Sequence, residues 1–181
     1  MQYIKRDLEG KILSLSKEYS CLLITGPRQV GKTTVLKELK KSNREYVTLD
    51  DLEERKLAKN DPAMFLQIHS LPIFIDEVQY APELFSYIKI AIDNGAEAGS
   101  FWLTGSQAFK LMELAQESLA GRIAILHMSS LSQHEIYGSG ETFPFSVDLQ
   151  SLKERKKINT PTDMTGIYQR IWSGSMPGLA S

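Results

Sequence analysis

Two glycines, a lysine and two threonines stand in GPRQVGKTT, Gly26 to Thr34, between the apolar run CLLIT and the stretch VLKEL. A chain of phosphates carries several negative charges, and backbone N–H groups oriented in advance are well suited to meet them. Gly26 can leave a strand in a backbone shape closed to other residues, and Gly31 lets the loop approach an anion with no side chain in the way. Pro27, Arg28, Gln29 and Val30 complete the turn between them, with Arg28 also placed to steer an anionic substrate. A helix opening near Lys32 points the positive end of its dipole into the same space. Lys32 then reaches the outer phosphates, the Thr33 hydroxyl ligates a magnesium ion bridging them, and Thr34 closes the cradle. The spacing G-x-x-x-x-G-K-[ST] gains weight from the apolar strand before it and the helix after it.

A second group of residues supplies what the loop lacks. Asp76 and Glu77 end the apolar run LPIFIDE; a hard divalent ion takes carboxylate oxygen, and an attacking water needs an acceptor nearby. Asp76 is assigned to the magnesium shell and Glu77 to polarising water, against the plainer reading that both cap the next turn. Ser106 and Gln107 follow the run FWLTG, where either can touch the terminal phosphate or the water, while Ser106 is equally suited to cap the following helix. Arg122 follows Gly121 and is a candidate for phosphate contact, in the same molecule or in a neighbour's site, against a solvated role.

The elements that must hold these residues alternate. CLLIT, EYVTLD, LPIFIDE, FWLTGS and IAILHM read as five strands, separated by helical patterns around Val35–Leu39, Leu57–Ile68, Leu84–Ile92 and Phe109–Leu119. This specifies an α/β fold, a three-layer α/β/α sandwich around a mainly parallel five-stranded sheet. Ile4, Leu8, Ile12 and Leu15 share one helical stripe, leaving Lys5 and Arg6 outward. Asp61 and Pro62 divide the helical cover in two, because proline starts a helix more readily than it continues one. Between Lys32 and Asp76 there is room for an additional strand, an arrangement associated with ATP hydrolysis more than with guanine-specific switches.

The charge balance, 21 Lys+Arg against 22 Asp+Glu, gives no global field toward nucleic acid or anionic membrane. Cys21 stands alone inside an apolar run, His69, His127 and His134 have no metal spacing, and Lys153–Lys157 read as a solvated basic run. No apolar stretch approaches the roughly 20 residues of a membrane span. The expectation is a cytoplasmic protein with no membrane partner. Turn-rich segments from Gly138 to Gly166 mark residues 138–181 as a linker and the start of a C-terminal region, leaving residues 1–137 as the principal domain.

With LPIFIDEVQ, FWLTGSQ, SLAGR and LSQHE following GPRQVGKTT in that order, the chain resembles the AAA-type ATPase domain of a large prokaryotic family of P-loop ATPases. The resemblance covers about Tyr3 to Tyr137. It implies ATP and ADP as ligands, with Gly26, Gly31, Lys32 and Thr33 on nucleotide, Asp76 and Glu77 as the acidic pair, and Ser106 or Gln107 as phosphate sensor. Arg122 matches the arginine of the family's A-G-R segment. WSGSMP is similar to the family's W-x-G-G-x-P with Ser175 at the second glycine, and the C-terminal domain usual in the family is not part of this sequence, as in a truncated chain or a degenerate copy. The reading is a magnesium-dependent ATPase that moves an attached effector or partner, a missing C-terminal domain or a second copy in a homo-oligomer. The alternative is a nucleotide-gated switch with little turnover, with DNA as a candidate partner. A small-molecule phosphotransferase is disfavoured, because RIAILHM is too apolar to form an arginine-bearing lid.

Overall fold

A computed structural model of the protein describes residues 3–40, 42–106, 108–137, 146–158 and 162–178. The chain forms two compact units: Asp7–Ser129, and Met1–Arg6 together with Ser130–Ser181.

The larger unit holds the sheet. Strands β1 (Cys21–Thr25), β3 (Ile73–Asp76) and β4 (Phe101–Gly105) are buried along their whole length, because helices cover both faces of a parallel sheet. With β2 (Glu45–Thr48) and β5 (Ile123–His127) they take the order β2-β3-β4-β1-β5, every neighbouring pair parallel. The three-layer α/β/α sandwich with a parallel five-stranded sheet is therefore the observed fold. β2 lies between β1 and β3 in sequence, but in space β4 separates those two strands and β2 sits at the edge beside β3. Parallel pairing brings Thr25, Thr48, Asp76, Gly105 and His127 to one edge of the sheet, the carboxyl edge where ligands bind in such folds.

Helices α1 (Glu9–Glu18), α2 (Lys32–Leu39), α3 (Leu52–Asn60), α4 (Pro62–Ile68), α5 (Leu84–Asp93) and α6 (Ala108–Leu119) supply the layers. Phe65 of α4, Leu84, Phe85 and Ile88 of α5, and Leu111, Ala115 and Leu119 of α6 join Ile73, Ile75 and Leu103 of the sheet in one core. Burying each large apolar side chain contributes roughly 1.5–3 kcal/mol. The stripe of α6 differs from the expected one, since Phe109 is 87% exposed and Leu111 takes the inward position. Asp51 caps α3 by accepting from the N–H groups of Glu53 and Glu54, and Asp61 accepts from Met64 N–H with Pro62 in the first turn of α4, as the Asp-Pro pair predicts.

His69 follows α4 with Nδ1 at 2.6 Å from Glu45 Oε1 and Nε2 at 3.0 Å from Glu54 Oε2. The histidine bond, aided by the Ser70 N–H, holds the Glu45 carboxyl below its ordinary pKa. A carboxyl lowered on folding stabilises fully above its unfolded value, about 4.3, and loses that contribution as pH falls through the folded value. Thermal melts between pH 7 and 3 should therefore show a shallower acid decline for Glu45→Gln than for the parent, and parallel declines would remove Glu45 as a contributor.

The smaller unit corrects the reading of the N-terminus. Helix α1 starts at Glu9, so Ile4 precedes it, and Arg6 is buried at 6% exposure where an outward side chain was expected. Its Nε donates to Glu135 Oε1 at 2.8 Å and its Nη2 to Ser130 O at 3.3 Å. Glu135 also accepts from Ser132 N–H while Ser132 Oγ accepts from Glu135 N–H, a capping box at the start of α7 (Gln133–Tyr137). Ser175 donates to Ser130 Oγ at 2.7 Å. The basic run expected in a linker lies on helix α8 (Leu149–Ile158), with Lys153, Lys156 and Lys157 exposed. Residues 164–173 form α9 (Met164–Ser173), whose Trp172 is 93% exposed.

Candidate functional site

The loop after β1 turns three times into the left-handed region, at Gly26 (φ 146°), Gln29 (φ 63°) and Gly31 (φ 95°). A Cβ on Gly26 would lie on the Met128 carbonyl oxygen, because β5 runs directly alongside and Met128 N–H donates to Thr25 O at 2.8 Å. Only glycine fits there. Val30 is buried beneath the loop, whereas Pro27, Arg28 and Gln29 are exposed. Gly31 is the N-cap of α2 and provides no side chain, which leaves the first N–H groups of that helix without a side-chain cap. Thr34 is exposed on the first turn.

Lys32 is 5% exposed and folds back over the loop, donating from Nζ to Gly26 O at 3.0 Å and Pro27 O at 2.7 Å. Burial lowers its pKa, and the carboxylates of Glu77 and Asp76 partly restore it. An ammonium held among carbonyls beside two carboxylates is a cation that phosphate oxygens can attract forward.

Asp76 carries more partners than its motif implied. Thr33 Oγ1 donates to its Oδ1 at 2.9 Å, the Thr104 hydroxyl donates to the same oxygen, and Tyr46 Oη donates to Oδ2 at 3.1 Å. Thr33 and Asp76 thus set two hard oxygen donors side by side at the foot of α2. That set suits magnesium, which binds through few protein oxygens and takes the rest of its shell from water and phosphate.

Glu77 adopts a left-handed backbone (φ 58°, ψ 44°) at the start of the 3-10 turn Val78–Tyr80. Its N–H donates to Thr104 Oγ1 at 3.4 Å, and its carboxylate accepts from the side-chain amide of Gln79. Gln79 Nε2 also lies 3.4 Å from Ser106 Oγ, so one buried amide touches both the expected water-polarising residue and the expected sensor. Among the described residues Gln79 Oε1 has no hydrogen-bond partner, and it lies 2.7 Å from where a Cβ on Gly105 would stand. Gly105 therefore makes room for Gln79. Gln107 lies outside the described residues.

The structure brings Lys32, Thr33, Asp76, Glu77 and Ser106 to one edge and separates Arg122 from them. Arg122 precedes β5, whose first residue pairs with Cys21 and whose last pairs with Thr25, so it stands a strand length away, about 13 Å at the usual rise. There its Nε donates to Asp93 Oδ1 at 2.6 Å and its Nη1 to Ala120 O. Contact of Arg122 with phosphate in its own molecule is thereby corrected: strand direction puts it at the opposite edge. Arg122→Ala should leave nucleotide affinity of the isolated chain within about twofold and cost under about 1 kcal/mol in a urea melt, as exposed ion pairs do. A large loss of affinity in calorimetry would contradict this placement.

Tyr46 and Gln79 are the functional neighbours that residue patterns did not supply. Cys21 is buried and its thiol pKa is pushed up, so it is no nucleophile. Among the described residues no three His, Cys, Asp or Glu side chains converge.

A family model described as an AAA domain matches residues 18–137, which include every residue of this edge. The chain belongs to that family. As an AAA domain protein of the P-loop ATPase type, it is 33% identical over 137 residues to two uncharacterized proteins, Rv2008c of Mycobacterium tuberculosis and Mb2031c of Mycobacterium bovis. The match takes in 75% of this chain and 31% of each relative, so the chain spans about a third of the length of the curated relatives it matches. Among solved structures, the Walker-type ATPase PABY2304 of Pyrococcus abyssi is similar at TM-score 0.59 and 19% identity, over 98% of this chain and 66% of that one. At that identity the likeness concerns the fold. Among the described residues of this AAA domain protein, no helix is long and apolar enough to cross a membrane.

Proposed function

We propose that the chain binds ATP with magnesium at residues 26–34 and hydrolyses it slowly, using the difference between its nucleotide states to move an attached effector or partner. The observation that carries this reading is the closed set Lys32, Thr33, Asp76 and Glu77 at the mouth of a glycine-built loop. Gly26, Gly31 and the backbone N–H groups from Arg28 to Thr34 hold the phosphates. Lys32 leaves the Gly26 and Pro27 carbonyls to take outer phosphate oxygens, which brings its charge to where charge develops. Magnesium, held by Thr33 and Asp76, supplies charge neutralisation on the phosphate oxygens when bound.

Glu77 accepts a proton from water as that water attacks the terminal phosphorus; the bond to the bridging oxygen breaks, leaving ADP, phosphate and a proton. Ser106 is the residue proposed to sense the terminal phosphate, with Gln107 beside it in sequence. Hydrogen bonding of Gln79 to Glu77 supports slow basal turnover, because the carboxylate must exchange that donor for water. The same contact favours, as a second reading, a nucleotide-gated switch that turns over only with its partner. Arg122, partly exposed and remote from its own site, is proposed to act on the site of a second copy.

Phosphate release from purified protein with ATP and magnesium tests the proposal, run with and without DNA and with and without a candidate C-terminal effector domain. Measurable release that Lys32→Ala removes supports the enzyme. Release only with a partner present selects the switch, and none under any condition sinks both.

A further inference from the structure

We propose that Tyr46 is the positioning residue of the magnesium site, fixing one oxygen of Asp76 so that the other is presented to the ion beside Thr33. This rests on the nucleotide reading above and adds a residue that neither the loop nor the acidic pair contains. Tyr46 comes from β2, the edge strand, where its neighbour in register on β3 is Phe74. The ring packs on Phe74 with centroids 5.1 Å apart, and Lys37 Nζ stands 3.9 Å from the ring centroid.

These contacts close a loop of three elements. Thr33 and Lys37 are four residues apart on α2 and so share a face of that helix. Thr33 reaches Asp76 Oδ1 directly at 2.9 Å, and Lys37 covers the phenol that reaches Oδ2 at 3.1 Å. A carboxylate with only Oδ1 engaged can rotate about its terminal bond, whose torsional minima are broad. With Oδ2 held by a phenol that itself contacts Phe74 and Lys37, that rotation is opposed. The cation over the ring draws electron density from the oxygen and strengthens the O–H as a donor. Outer partners of this kind orient metal ligands and typically set metal affinity by about 10–100-fold.

The experiment is a calorimetric titration of the β,γ-imido analogue of ATP into the parent and Tyr46→Phe, once with magnesium and once with EDTA. Tyr46→Phe should bind the analogue within about twofold of the parent in EDTA and about tenfold more weakly than the parent at limiting magnesium, with the loss recovered by raising magnesium about tenfold. Lys37→Met, on the exposed side of α2, should show a smaller loss of the same kind and provides the test if Tyr46→Phe melts early. An unchanged magnesium dependence in both variants overturns the proposal, as does a loss of equal size in EDTA, which would make Tyr46 a packing residue. A parent protein that binds no analogue under either condition overturns the nucleotide reading itself, an outcome separate from either of these.

Discussion

Lys32→Ala is expected to weaken nucleotide binding by at least about a hundredfold, on the order of 3 kcal/mol, the scale for removing one member of a buried charge pair. The ammonium is 5% exposed and already sits among oxygen acceptors, so its desolvation has been met in the folded chain and phosphate gains the full charge-assisted bonds. Its loss also removes the donor from the Gly26 carbonyl, which is buried, and from the Pro27 carbonyl, which lies on the exposed part of the loop. The loop should therefore soften without unfolding the sheet. Calorimetry at equal protein concentration reads the first effect and a thermal melt controls for the second. Parent-like affinity in Lys32→Ala would mean that phosphates do not lie over this loop.

The second large effect concerns turnover alone. Glu77→Gln keeps the shape of the side chain, the left-handed backbone and a hydrogen bond with Gln79, but it cannot take a proton from water. Nucleotide affinity should stay within a few-fold of the parent while phosphate release falls about 10²–10⁴-fold, the usual contribution of a positioned base. Single-turnover measurement separates the chemical step from product release. Equal rates in the two proteins would take Glu77 out of the mechanism.

Local chemistry made much of this legible from residues alone. Gly26, Gly31 and Lys32 lie within seven positions, and their roles depend on backbone shapes that neighbouring residues determine. The buried strands were readable because continuous apolar runs such as CLLIT and FWLTG suit only a sheet covered on both faces. Of the readings open for Arg122, only contact within its own molecule fails, and the signal was present: a residue preceding a parallel strand lies at its amino end, away from the carboxyl edge that binds ligand. Tyr46 had no such signal. Its contact with Asp76 depends on β2 pairing with β3 at one register, Thr48 opposite Asp76, and register across thirty residues is fixed by the assembled sheet. Arg6 follows the same rule at greater distance, since Glu135, 129 positions away, decides that it turns inward.

A crystal structure of the protein with the β,γ-imido analogue of ATP and magnesium tests the nucleotide cradle most directly. The terminal phosphates should lie within about 3 Å of the N–H groups at the start of α2, with Lys32 Nζ drawn off the Gly26 and Pro27 carbonyls onto phosphate oxygen. An analogue bound elsewhere, with Lys32 still folded onto those two carbonyls at saturating ligand, would contradict it.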